Sequence, residues 1–323
     1  MTGVQTCALP ILAARFADDV QRAPVIRSAE LVARSPDLPP EQRYDPRAVP
    51  FLDVDAPEPT LAAPTSQLCT ANQFAEATYH AWCRELREPP TLERKRWEHV
   101  WLLQCLASAG KLGPGRRGLG FGCGREPLAA IMAARGCTIV ATDLDHETAA
   151  GHGWIETGQH ARLLDDLNER GICASDLFRE RVSFRTQDMN AIAEDLTDFD
   201  FVWSSCSFEH LGSLEHGIRF VLRAMQCLKP GGLAVHTTEF NLSSNGPTLE
   251  SPDLSIYRRR DIERLVQTLE QEGHRVWPLN LQPGTGPVDH YVDVPPYRAE
   301  PHLKLRLWRF VITSVGLAIE RGH

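Results

Sequence analysis

The chain has 323 residues, 42% hydrophobic and 24% charged, with a formal charge of −8. That length and balance suit one large α/β core with an accessory layer and exclude a wholly disordered chain. They also exclude binding to nucleic acid through overall charge, because phosphate contacts need a basic surface. Arg258, Arg259 and Arg260, the densest basic cluster, read as a solvated helix start. Nine cysteines without a CxxC pair give neither a disulfide framework nor a zinc ribbon, and no apolar run is long enough to span a membrane. The expected setting is reducing and cytoplasmic.

Residues 2–11, TGVQTCALPI, read as the translation of a sequencing-adapter oligonucleotide rather than a leader, so residues 1–11 are set aside and the natural start is expected elsewhere. Ten of the 23 prolines fall within the first 64 residues, and residues 12–64 are expected to be extended, with no function assigned. Residues 65–115 read as a helical accessory region. Thr70 and Gln73 have capping-box spacing ahead of Phe74, Ala77, Ala81, Trp82 and Leu86, and Pro89 and Pro90 stop that helix. A second helix, from near Thr91 to Gly110, carries Trp97, Val100, Trp101 and Cys105 on one side. Tyr79, Trp82, Trp97 and Trp101 suit either an acceptor lid or simple core packing.

From 116 to 323 strand-like and helix-like segments alternate, the pattern of a parallel sheet covered on both faces. Strands are expected at Gly118–Phe121, Thr138–Thr142, Val182–Thr186, Phe199–Ser204, Leu233–Thr238, Arg275–Leu279 and Phe310–Ile319. Helices are expected at about Pro127–Arg135, His146–Arg170, Asn190–Leu196, Leu214–Leu228 and Arg260–Glu272.

Within GLGFGCGREPLAA, the glycines Gly120, Gly122 and Gly124 let backbone approach a ligand, with Phe121 between them and a helix N-terminus following. A dinucleotide fingerprint needs a third glycine at a position where the two possible frames place Arg125 or Cys123. TIVATDLD ends a strand at Asp143, 19 residues after Gly124, where a carboxylate can accept both hydroxyls of a ribose, with Leu144 adjoining. Asp145 reads as a helix cap. Further on come FRTQDMNA, with Asp188 and Met189 after a strand, and DFDFVWSSCSFEHL, where a buried strand opens at Ser204 and Ser205. CLKPGG then forms a turn before the strand LAVHTTEF.

These segments, in this order over Gly118–Asn241, resemble class I S-adenosylmethionine-dependent methyltransferases of the small-molecule, type 11-like kind. The resemblance implies a doubly wound Rossmann-like sheet of seven strands with an antiparallel last strand, preceded by the helical accessory segment. It implies S-adenosyl-L-methionine as cofactor, with Asp188 at the adenine amino group and Met189 against the ring. It further implies methyl transfer to O or N of a small molecule, with no nucleic-acid or membrane partner. GFGCGREPLAA, ATDLD, CLKPGG and LKLRLWRF also resemble a bacterial subgroup loosely associated with sugar or surface-glycan synthesis, which implies a sugar-linked acceptor. DVPPYR at 293–298 is similar to the PPY element of nucleic-acid amino-methyltransferases, but it follows the sixth strand instead of the fourth and reads as a proline-fixed loop. One departure is Gly118, where the family usually has an acid; Glu126 is the candidate substitute, although a carboxylate at a helix start also stabilises that helix.

Ligands in such sheets sit beyond the strands' carboxyl ends, which makes His210, Glu209 and Glu239 the candidate bases. His210 is the first choice, and a capping role for it weighs equally. His236 reads as packed, and His146, His152 and His160 lack metal-site spacing, so no metal is expected. Two alternatives stay open: a nonenzymatic S-adenosylmethionine-binding or regulatory protein, suggested by Gly118, and an NAD-dependent oxidoreductase.

Overall fold

A computed structural model describes residues 38–145, 161 and 163–323. Residues 1–11, the first part of the proline-rich segment, and most of the helix expected over His146–Arg170, with its three histidines, lie outside the described residues. The tail of that helix is a 3-10 turn, Leu164–Asn168.

The strands are β1 (Ser66–Leu68), β2 (Arg117–Phe121), β3 (Thr138–Asp143), β4 (Val182–Thr186), β5 (Phe199–Ser205), β6 (Leu228–Asn241), β7 (Arg275–Val276), β8 (Leu279–Asn280), β9 (Leu305–Leu307) and β10 (Phe310–Glu320). The helices are α1 (Ala77–Glu85), α2 (Arg94–Ser108), α3 (Leu128–Ala134), α4 (Ser175–Arg181), α5 (Leu214–Ala224) and α6 (Arg259–Gln271). One mixed sheet runs in the order β4-β3-β2-β5-β6-β10-β1-β8. The five strands from β4 to β6 are parallel, and β10 runs antiparallel beside β6. The expected doubly wound sheet with its antiparallel last strand is therefore present.

Strand alternation sends Phe201 and Trp203 to one face, with α2 and α3, and Val202 to the other, under α5 and α6. Along β10, from one end to the other, β9, β1 and β7 each pair with a few residues of the flank opposite β6. Among the described residues no helix is long and apolar enough to cross a membrane, and the eight cysteines are free and buried.

The structure differs from the sequence-based expectation at several places. The sixth strand is split into β7 and β8 at Trp277 and Pro278, where proline has no N–H to give a ladder; the Pro278 carbonyl instead accepts from Ser66 N at 3.1 Å. No helix forms over 190–196. Buried Gln187 donates to the carbonyls of Asp188 (2.7 Å) and Ala191 (2.8 Å) and accepts from Ala193 N (3.2 Å), so side-chain bonds replace the helical ladder. The Thr70–Gln73 capping box does not close: Gln73 Nε2 donates to Thr70 Oγ1 and to Leu68 O, each at 2.8 Å, and the helix starts only at α1. KPGG lies inside β6 as an irregularity, with Leu228 opposite Phe199 and Leu233 opposite Phe201. Helix α4 was not anticipated.

Residues 38–64 are closely attached. Tyr44 OH donates to Leu242 O at 3.0 Å, Leu61 N donates to Glu76 at 2.8 Å, and Leu52 and Leu61 are buried. Arg259 ties this segment to α6 through Asp53 at 2.8 Å, and Arg258 pairs with Asp261, so two of the three clustered arginines serve the fold. Tyr79, Trp82, Trp97 and Trp101 are core residues: Trp97 stacks on Trp101 at 5.9 Å, and their indole N–H groups reach Gln73 and the Thr65 carbonyl.

Candidate active site

The glycine turn follows β2 at the carboxyl edge of the sheet. Gly122 and Gly124 have φ of +57° and +47°, conformations that cost a side chain. A Cβ on Gly122 would also lie 2.8 Å from Ser207 Oγ and 3.4 Å from Met189 Sδ, so Met189 lies beside the turn. Gly120 is required for packing, since its Cβ would stand 2.3 Å from the Trp203 ring. Asp143 closes β3 and is buried; its Oδ2 accepts from Gly124 N at 3.0 Å and its Oδ1 from Leu144 N at 2.9 Å.

The remaining expected cofactor residues each have partners of their own. Phe121 packs edge-on to Phe220 at 5.2 Å, so only its backbone borders the turn. Ser204 is buried on the α5 face, bonded to His236 Nδ1 at 2.8 Å, whereas Ser205, on the opposite face, bonds Lys95 Nζ at 2.8 Å. Burial drives His236 down to about 3, so it is a neutral, packed ring, as the sequence suggested. Asp188 is exposed and accepts from Asn190 N at 2.8 Å.

Gly118 has a packing cause. A Cβ there would sit 2.3 Å from the Phe201 ring, leaving no room for the acid usual at this position. The charge near the turn comes from Glu126, 2.5 Å from Lys95 Nζ and 3.5 Å from His99 Nε2. Burial alone would raise the Glu126 carboxyl, but Lys95 and His99 outweigh it and hold the group below its ordinary range; one of its oxygens, Oε2, is buried with no partner.

A second polar cluster lies over the tips of β5 and β6. Glu239 Oε1 receives Arg94 Nη2 at 2.5 Å, and Glu209 Oε2 receives Thr238 Oγ1 at 3.0 Å. The remaining oxygens, Glu239 Oε2 and Glu209 Oε1, are buried without hydrogen bonds. Burial, then the neighbouring Glu239 charge, pushes Glu209 up to about 8, and burial likewise raises Glu239 against the pull of Arg94. Cys206, Glu209 and Glu239 bring potential ligand atoms within 4.8 Å of one another, although the Arg94 guanidinium already supplies Glu239 with a positive partner. His210 Nδ1 lies 2.6 Å from the Asp253 carbonyl and its Nε2 4.0 Å from Glu209.

Sequence reasoning missed Arg94, Lys95 and Glu98, which α2 drives into this cluster. Glu98 is fully buried and accepts from Ser314 Oγ and from Cys206 Sγ. Their signal was present: charged residues at i and i+4 flanking Trp97 and Trp101, on the stripe that should be apolar.

Residues 94–281, more than half of the chain, match the family described as methyltransferase domain. No curated protein sequence matches the chain. Among solved structures it is similar to phosphoethanolamine N-methyltransferase 2 of Haemonchus contortus in complex with S-adenosyl-L-methionine, with 20% identity over 54% of this chain and 37% of that one and a TM-score of 0.37. It is similar to the [4+2]-cyclase SpnF, with 22% identity over 56% and 59% and a TM-score of 0.39. A third is the magnesium protoporphyrin IX methyltransferase of Synechocystis PCC 6803, with 13% identity over 78% and 94% and a TM-score of 0.43. The chain thus spans less than two thirds of the length of the first two.

Proposed function

Because this chain belongs to the S-adenosylmethionine-dependent methyltransferase family, we propose that it carries the cofactor's methyl group to an oxygen or nitrogen of a small-molecule acceptor, of which sugar-linked compounds are one class. The observation that carries this reading is the Asp143 carboxylate joined to the Gly124 and Leu144 amides, beside two left-handed glycines. These residues fit the nucleoside end: Asp143 would take the ribose hydroxyls, the turn backbone would lie along the ligand, and Met189 would cover the base. Glu126 and Lys95, one strand tip away, would hold the amino-acid end.

When bound, the cofactor supplies a methyl carbon on a cationic sulfur. The chain's own task is orientation and exclusion of water, which can supply about 7–11 kcal/mol in favourable systems. The acceptor would lie over β5 and β6, where Arg94 fixes Glu239 and Thr238 fixes Glu209. His210, Glu209 and Glu239 are the groups there able to hold a proton.

The nonenzymatic alternative drew on Gly118, and the Phe201 ring accounts for that glycine through packing. Calorimetry of the full chain with S-adenosylmethionine, S-adenosylhomocysteine and NAD, repeated on Asp143→Ala, tests the reading. The first two are expected to bind, weakened roughly 10- to 100-fold by the substitution, the worth of charge-assisted hydrogen bonds. Binding of NAD alone would refute it.

A further inference from the structure

The segment between β8 and β9 holds DVPPYR, assigned no role above, and beyond it His302. Asp293 Oδ2 accepts from His302 Nδ1 at 2.7 Å and from Arg298 N at 2.9 Å, and Tyr291 OH reaches Oδ1 at 3.4 Å. Both residues of this Asp–His pair are buried, and the far ring nitrogen, His302 Nε2, has no hydrogen-bond partner. The backbone of His302 is clamped to the start of α2: its N–H donates to Leu92 O at 2.7 Å and its carbonyl accepts from Arg94 N at 3.1 Å. Arg94 in turn reaches Glu239 at 2.5 Å and Ser314 at 3.0 Å, and Ser314 is the register partner of Glu239. Arg94 therefore links the two, its backbone bonded to His302 and its guanidinium to the acidic tip of β6.

We propose that His302, oriented by Asp293, is the general base for a hydroxyl acceptor, so that the protein is an O-methyltransferase. This rests on the family reading above. As the acceptor oxygen bonds to the methyl carbon, the electron pair of the breaking C–S bond stays on sulfur, and the hydroxyl proton passes to His302 Nε2. The sulfonium charge is lost and an imidazolium charge appears, stabilised by Asp293 until the proton leaves to water. Asp293 fixes the tautomer with the proton on Nδ1 and the lone pair on Nε2.

The other candidates suit this role less. Glu239 is held by Arg94, and Glu209 faces a second carboxylate, which together with burial raises it above its ordinary range. His210 has its Nδ1 on the Asp253 carbonyl at 2.6 Å and its Nε2 4.0 Å from Glu209, whereas the His302 Nδ1 sits directly on a carboxylate at 2.7 Å. Around the Asp293–His302 pair the charged and titratable groups are Tyr291, Tyr297 and Arg298 on its own segment, Glu93 just before α2 and Arg94 at its start, with Glu239 beyond Arg94 on β6; β10 presents the neutral Thr313 and Ser314. Burial, aided by Arg94, keeps the ring below its ordinary range and thus neutral, against the opposing pull of Asp293.

The test uses tritiated-methyl S-adenosylmethionine with a panel of methyl glycosides, phenols and hydroxy acids and their amino counterparts, on wild type, His302→Gln and Asp293→Asn from pH 5 to 9, with cofactor affinity measured in parallel. Label is expected in hydroxyl compounds. His302→Gln should lower kcat by about 10²- to 10⁴-fold, abolish the acidic limb of the pH profile, and leave KM and cofactor affinity within about threefold. Asp293→Asn should lose part of the rate and shift that limb. A His302→Gln rate within threefold of wild type, label entering amines only, or wild type that binds cofactor and labels no hydroxyl compound would each overturn the proposal and leave the family reading standing. Wild type that binds no cofactor refutes the family reading, and this proposal with it. Nitrogen-15 NMR of wild type needs no variant to fold: a neutral His302 carrying its proton on Nε2 would also overturn the proposal.

Discussion

Restoring an acid at position 118 should damage the protein rather than improve it. A Cβ there would meet Phe201 Cε2 and Cζ at 2.3 Å and Ile139 Cδ1 at 3.0 Å, against a contact distance of about 3.5–4.0 Å. The Phe201 ring cannot yield easily, because it is fully buried, with Trp203 at 6.0 Å between ring centres. Gly118→Ala should therefore cost about 1–3 kcal/mol from overpacking. Strand propensity alone would favour alanine by roughly 0.5–1 kcal/mol, so the sign separates the two effects. Gly118→Asp adds the burial of a carboxyl without a partner, a further several kcal/mol. At about 2 °C per kcal/mol for a chain this long, the alanine variant should melt about 2–6 °C lower and the aspartate variant lower still. Urea and thermal unfolding followed by circular dichroism, with S-adenosylmethionine calorimetry on the folded fraction, measure this. Phe201→Leu should cost less in the Gly118→Ala background than in wild type. An aspartate variant that melts with wild type and binds cofactor more tightly would refute the packing account and return Gly118 to the status of a lost ligand.

Glu209 carries a pH signature. Its folded value, near 8, lies above the unfolded carboxyl value, so between about pH 4.5 and 8 the folded state binds more protons and stability should fall as pH rises. Glu209→Gln should flatten that fall, leaving stability near wild type at pH 5 and above it at pH 8; equal slopes in urea titrations would contradict this. Gln187→Ala should destabilise by roughly 1–3 kcal/mol through the loss of three bonds to the 188–193 turns, with faster amide exchange there, and unchanged protection would show that those bonds do not hold the segment. Lys95→Met and Glu126→Gln should each weaken S-adenosylmethionine binding about tenfold, and the double variant should lose far less than a hundredfold because the two groups form one pair; full additivity would separate them.

The strands from β2 to β6 and the glycine turn were legible because each is announced locally, by apolar runs bounded by glycine, proline or acid. Asp143 was legible through its spacing from the turn, and the structure ties it to Gly124. What escaped depends on partners remote in sequence or on competing local bonds. Gln187 overrides a segment of helical composition, and Pro278 interrupts a strand of the right hydrophobic pattern. Arg94 finds Glu239 across 145 residues, and Asp293 meets a His302 whose backbone pairs with the start of α2, far earlier in the chain. No periodicity encodes such pairs. Charged residues on the buried stripe of α2 could have been noticed, but their destination could not.

The tiling of β10 bears on how the protein avoids self-association. FVITSVGLAIE is apolar and rich in β-branched residues, the composition that templates intermolecular strand pairing when left bare. One flank is covered by β6, and the other by three fragments of two or three residues, β9 from the adjoining hairpin and β7 and β1 from farther along the chain. The sheet then ends at β8, two residues long, whose Asn280 side chain bonds back to the Pro57 carbonyl at 3.0 Å. A neighbouring molecule finds no extended ladder there to continue. In the described part of the chain, β1 covers the middle of the β10 flank, so a change that released β1 would expose an apolar, β-branched edge.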